Sequence, residues 1–107
     1  MIIVFPKILG KNVNALTIFP LIILKNPEFK NDIVLINHEK IHLKQQLELL
    51  WIVFFLWYII EYAIRKFQYN NADMAYRNIS FEREAYANEN NLQYIKKRKM
   101  FGFLRYL

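Results

Sequence analysis

From Asp32 to Gln68 the chain contains neither glycine nor proline. A stretch of that length without a breaker or a cluster of turn residues is sustained as helix. Residues 1–31 differ in kind. Ile2 to Phe5, Lys7 to Leu9 and Leu16 to Leu24 are short runs rich in Ile, Val, Phe and Thr, cut by Pro6, Gly10 and Pro20. Such runs predict strands. Gly10-Lys11-Asn12 predicts a hairpin turn, and Pro20, which cannot donate to a ladder, places its strand at an edge. Pro27 closes this region, because the residue before a proline is biased away from the helical basin. The expected fold class is α+β and mainly helical, in one domain. A small antiparallel β-hairpin or sheet over residues 1–31 leads into a long helix over 32–68, and C-terminal helices follow over 71–107.

Asp32 is placed to cap the long helix, and Asn71 to cap a short one over Ala72 to Arg77. The first part of the long helix is amphipathic, with Ile33, Ile36, Ile41, Leu43, Leu47 and Leu50 set among Asn, Lys, Gln and Glu. From Leu49 to Ile60 it is apolar all round. That apolar run is shorter than the roughly 20 residues needed to span a bilayer, so it predicts a buried core helix or a shallow membrane insertion. Trp51, Trp57, Tyr58 and Tyr62 are ring types suited to a lipid interface. A further helix is expected from Phe81 to about Lys99, ended by Gly102.

Apolar residues make up 55% of the chain and aromatics 17%. That is high for a small domain facing water on all sides, and part of the surface is expected to meet lipid or another chain. The net charge of +6 and the run Lys96-Lys97-Arg98-Lys99 favour an anionic partner. No stripe of cations interleaved with stacking aromatics supports nucleic-acid binding. The N-terminus lacks a basic n-region, so no signal peptide is expected, and the location predicted is the cytoplasm or the cytoplasmic face of a membrane.

The chain has no cysteine. Disulfides, thiolate metal sites and thiol catalysis are thereby excluded, and any tight transition-metal site must use histidine and carboxylate. The only two histidines stand in His38-Glu39-Lys40-Ile41-His42. Four residues apart on a helix, two imidazoles share a face and reach one ion. Glu39 then lies beside the ion's open position, where a carboxylate serves as general base towards activated water. The expected metal is Zn2+, the expected ligands His38 and His42, and the expected chemistry hydrolysis of a peptide bond.

Three carboxylates compete for the third ligand. Glu61 follows His42 after 18 intervening residues, but on a continuous helix it would lie roughly 28 Å away at 1.5 Å per residue. Pairing with Arg65 at i+4 is the alternative use of Glu61. Glu82 and Glu84 lie beyond a turn that lets the chain double back.

Together, the H-E-x-x-H pattern and Phe81-Glu82-Arg83-Glu84-Ala85-Tyr86 resemble the small membrane-associated glutamate zincins, which include prenyl-protein and heat-shock membrane proteases. The resemblance covers about residues 33–90. It implies a minimal zincin-like fold and a zinc metallopeptidase acting on a peptide or protein substrate. It also implies Glu82 as third ligand and Ala85 as the small residue that permits close helix packing. The family places at Tyr86 an Asp that supports a ligand histidine. Here that support falls to the Tyr86 hydroxyl or to a residue such as Glu89. Tyr76, Arg77 and Tyr86 are candidate oxyanion stabilisers. Strand residues Thr17 to Ile22 are the expected rim for an extended substrate, bound by edge addition. The alternative function is a non-catalytic membrane- or partner-binding protein on the same scaffold.

Overall fold

The computed structural model describes residues 1–107. Strands β1 (Ile2–Val4), β2 (Ala15–Ile18) and β3 (Leu21–Leu24) form one sheet in the order β1-β3-β2. β2 and β3 make an antiparallel hairpin that turns at Phe19-Pro20, whereas β1 pairs with β3 in parallel. The sheet is therefore mixed. Gly10-Lys11-Asn12 turns the chain as expected but joins strands that do not pair with each other. β3 is the central strand, and Ile22, Ile23 and Leu24 are all buried, as expected for a strand covered on both faces. Ile22 and Leu24 pack on Ile36 of the long helix, with Val4, Ala15, Phe29, Leu35 and Leu43 around them.

Helix α1 (Ile33–Tyr69) begins where expected, with the Asp32 side chain accepting from Leu35 N–H at 3.0 Å. The expected continuity fails at Leu50, whose φ of 51° and ψ of 120° break the helix into limbs 33–49 and 51–69. An unbroken helix of 37 residues would be about 55 Å long, whereas the molecule extends 36 Å along its longest axis. The physical reason for the break is packing. Only a folded-back second limb can lay Phe54, Trp57, Tyr58 and Tyr62 over the aromatic core of Ile79, Phe81 and Phe103. Phe81 stands 4.4 Å from Phe54 and 4.6 Å from Phe103, centroid to centroid. Phe54, Phe81 and Phe103 are thus interior, and further rings are half-covered around them. Of the four rings suited to an interface, Trp57, Tyr58 and Tyr62 are partly buried against this core, and Trp51 is exposed.

α2 (Ala72–Arg77) is capped by Asn71, which accepts from Met74 N–H at 3.0 Å. α3 (Ser80–Asn88) ends well before Lys99. At and just beyond its end, the Asn37 amide donates to the carbonyls of Asn88, Glu89 and Asn91. A short α4 (Tyr94–Lys97) and a 3₁₀ turn over Gly102–Tyr106 complete the chain. Gly102 begins that turn rather than ending a helix. The first limb of α1 thus lies between the sheet and α3.

Candidate metal centre

The i, i+4 spacing places His38 and His42 on the face of α1 that meets α3, and Glu82 in the first turn of α3 faces them. His38 Nε2 and His42 Nε2 are 3.2 Å apart, and Glu82 Oε1 is 3.2 Å from the first and 3.1 Å from the second. All three residues are buried.

The tautomers follow from the surroundings. His38 Nδ1 lies 2.7 Å from Glu89 Oε1, an acceptor, so it must carry the proton. The Gln45 amide donates through Nε2 to Phe81 O and Glu84 Oε1, which turns its oxygen to His42 Nδ1 at 2.8 Å, again requiring a proton there. Both Nε2 lone pairs therefore point at the Glu82 oxygen and at each other. Three acceptors in a buried triangle repel unless a cation joins them. Their separations match one face of a tetrahedron about Zn2+, whose edge is about 3.3 Å for ligand distances near 2.0–2.1 Å. The donor set fits the metal.

A proton is the other cation that answers this need. Burial disfavours the His42 imidazolium, but the Glu82 carboxylate and its hydrogen bond outweigh burial and push the pKa up to about 9. Burial acts to raise the Glu82 pKa, yet the His42 and His38 imidazoles hold it well below the usual carboxylate range. These are two views of one interaction.

Each member of the triangle is held from behind. Tyr58, on the second limb of α1, donates to Glu82 Oε2 at 2.8 Å. Burial, followed by the Glu82 charge, raises the Tyr58 pKa and keeps it a donor. Behind Gln45, Glu84 is fully buried and accepts from Arg98 Nε at 2.5 Å and from Tyr94 Oη at 2.6 Å. Burial opposes the Arg98 charge, but hydrogen bonds to Glu84 and Glu48 outweigh it and raise its pKa. One residue of the basic run is thus spent inside the protein. A Cβ on Gly102 would stand 2.8 Å from Glu84 Oε2, so glycine is required there by close approach.

Glu39 is buried, and its charge helps to raise the His42 pKa; Thr17 Oγ1 donates to its Oε1 at 2.7 Å and lies 3.1 Å from its carbonyl. Thr17 reaches it because alternation along β2 turns Thr17 and Ala15 to the helix-facing side. The expected rim is only partly an edge. β2 is the edge strand, but Leu21 and Ile22 belong to the central strand. Gln46 further occupies the edge, donating to Thr17 O at 2.8 Å and accepting from Phe19 N–H at 2.6 Å.

Glu61 is absent from the triangle for a reason other than a straight helix. It accepts from Ser80 N–H and Ser80 Oγ, each at 2.6 Å, and so caps α3 from another element. Its expected pairing with Arg65 is present at 3.4 Å. Tyr86 packs edge-on against His38, 4.6 Å between centroids, and its hydroxyl donates to Tyr76 Oη at 3.3 Å. Burial and then Glu82 raise the Tyr76 pKa. Arg77 is exposed, 4.9 Å above the Tyr86 ring and 3.5 Å from Asp73.

The supporting roles of Tyr58, Gln45 and Arg98 lie outside the expectations drawn from sequence. Gln45 was accessible to reasoning, since it lies one turn after His42 on the same face. Tyr58 and Arg98 come into place only through the break at Leu50 and the return of the C-terminal segment. Compared with protein-family models, with curated proteins and with solved structures, the chain matches none.

Proposed function

We propose that the protein is a zinc-dependent metallopeptidase, with His38, His42 and Glu82 holding the metal and Glu39 acting as general base. The observation that carries this reading is the convergence of three acceptor atoms within 3.2 Å of one another, with His42 feeling the charge of a Glu39 carboxylate pinned by Thr17. Bound there, Zn2+ would polarise a carbonyl and bring the pKa of water to about 7. The three-residue donor set leaves a coordination position open, as catalytic zinc sites do.

The remaining work falls to the chain's own side chains. Thr17 donates to one Glu39 oxygen, leaving the other free to take a proton and return it to a leaving amine. Glu89 and Gln45 hold the two imidazoles in the tautomer that presents Nε2. Tyr58 fixes the carboxylate of Glu82. Tyr76, kept protonated, supplies a donor for charge developing on a carbonyl oxygen.

A second reading is favoured by the low exposure of the cluster, 5% at His38, 6% at His42 and 4% at Glu82. In that reading the metal joins α1 to α3 and the protein binds a membrane or a partner without catalysis. Incubation of the zinc-loaded protein with a diverse peptide library separates the two. The enzyme reading expects cleavage that Glu39→Gln abolishes while zinc content is unchanged. Absence of cleavage by zinc-loaded wild type, or cleavage undiminished in the variant, would refute it.

A further inference from the structure

The second limb of α1 has two faces of opposite character. Phe54, Tyr58, Glu61 and Arg65 turn inward to the aromatic core, Glu82 and Ser80. On the other side Ile52, Leu56, Ile59, Ile60, Ile64 and Phe67 are exposed, from 52% at Ile64 to 93% at Phe67. At 100° per residue these positions form one continuous stripe along the limb, with no charged side chain among them. Beside it lies a groove of about 450 Å³, lined by Val53, Leu56, Ile60, Ile64 and the terminal Leu107 and edged by Trp57, Glu61 and Arg65. A monomer rarely leaves so long an apolar strip in water.

The exposed charges of the whole chain are unbalanced beyond what the net charge conveys. Eleven of the fifteen Lys and Arg residues are exposed, against three of the nine carboxylates, Glu28, Asp32 and Asp73. The other six carboxylates are engaged inside the protein: Glu39 on Thr17, Glu48 and Glu84 on Arg98, Glu61 on Ser80, Glu82 on the histidines and Glu89 on His38. The site and its supports thus withdraw negative charge from the surface and leave it strongly cationic. A second copy of the chain would carry the same overall excess of positive charge, so like charge opposes the association of two copies. An anionic lipid surface complements both the apolar strip and the cations.

We infer that the exposed face of residues 51–69 docks in the plane of an anionic bilayer, at the boundary of headgroups and acyl chains. Spanning is disfavoured because the opposite face carries Glu61, Arg65 and the rest of the domain, which cannot be surrounded by hydrocarbon. Exposed Trp51 at the start of the limb and Lys66 near its end suit the headgroup level. This inference does not depend on the proposed hydrolysis or on zinc.

Co-sedimentation of the full chain with vesicles tests it. Vesicles of phosphatidylcholine containing phosphatidylglycerol should bind at least about tenfold more tightly than phosphatidylcholine alone, with the difference removed by high salt. The double variant Leu56→Asp/Ile60→Asp should weaken binding at least about tenfold while keeping the wild-type circular dichroism and zinc content. Because both side chains are exposed, the fold should survive these changes. Tryptophan emission, to which exposed Trp51 contributes beside the partly buried Trp57, should shift to the blue only with anionic vesicles. Equal binding to both vesicle types, or undiminished binding of a folded double variant, would overturn the inference. So would a lipid-free dimer that the double variant disperses, combined with failure of wild type to bind vesicles.

Discussion

Removing the Glu61 carboxylate discriminates between the two uses that its position allows. Glu61 accepts from Ser80 N–H and Ser80 Oγ at 2.6 Å, from Trp57 Nε1 at 3.2 Å and from Arg65 at 3.4 Å. Glu61→Ala leaves the first turn of α3 without its cap, a loss of about 1–2 kcal/mol. It also strands a buried serine hydroxyl, an indole N–H and a largely buried guanidinium, which adds on the order of 1–3 kcal/mol. A total near 3 kcal/mol is expected, a large part of the roughly 5–15 kcal/mol that holds a domain folded. In urea unfolding of the zinc-loaded protein the midpoint should fall by about 1–2 M at an unchanged slope of about 2 kcal/mol/M. The folded variant should retain its zinc, because Glu61 is no ligand. A variant that loses zinc while keeping its urea midpoint would refute this reasoning and return the third-ligand role to Glu61.

Gly102→Ala places a methyl 2.8 Å from Glu84 Oε2, and Glu84 has no room to yield; destabilisation of about 1–3 kcal/mol is expected. Through Gln45 and His42 the same change should weaken zinc binding roughly tenfold or more in chelator competition. Leu50→Gly removes a left-handed leucine that is 73% exposed. Relief of about 1–3 kcal/mol of backbone strain against about 0.5–1 kcal/mol of added chain entropy predicts a gain near 1 kcal/mol by thermal or urea melts. In metal-free protein the His42 pKa is raised from 6.5 to about 9. Its contribution is therefore complete below pH 6.5 and lost as pH rises through about 9, a fall on the order of 3 kcal/mol. Zinc bound at the triangle would displace that proton, so with saturating zinc this fall should vanish or reverse in urea titrations across the same range; equal slopes with and without zinc would count against the shared site.

The parts of the fold that were legible in the sequence are those set by local chemistry. Asp32 and Asn71 cap the helices they precede, Glu82 faces the two histidines, and Glu89 takes the supporting position that Tyr86 leaves open. The break at Leu50 was not legible, since Leu49, Leu50 and Trp51 carry no breaker and packing alone decides it. Within the apolar run, composition could not separate Phe54 and Tyr58, which face the core, from Leu56 and Ile60, which face outward. The early end of α3 depends on the Asn37 side chain, 51 residues away from Asn88 in sequence. Arg98 looked like one cation in a solvated run because its partners, Glu48 and Glu84, are brought to it only by tertiary structure. Glu61 was doubted as a ligand on the premise of a straight helix; the helix bends, and Ser80 is what occupies Glu61.

A metal centre built from two helices requires each folded chain to hold zinc. Elemental analysis after exhaustive dialysis should find a single zinc ion per wild-type chain, and loss of that ion in His42→Ala and Glu82→Ala proteins shown folded by circular dichroism. A wild-type chain that takes up no divalent metal would rule out the metal centre, and a Glu82→Ala chain that holds zinc as tightly as wild type would remove Glu82 from it.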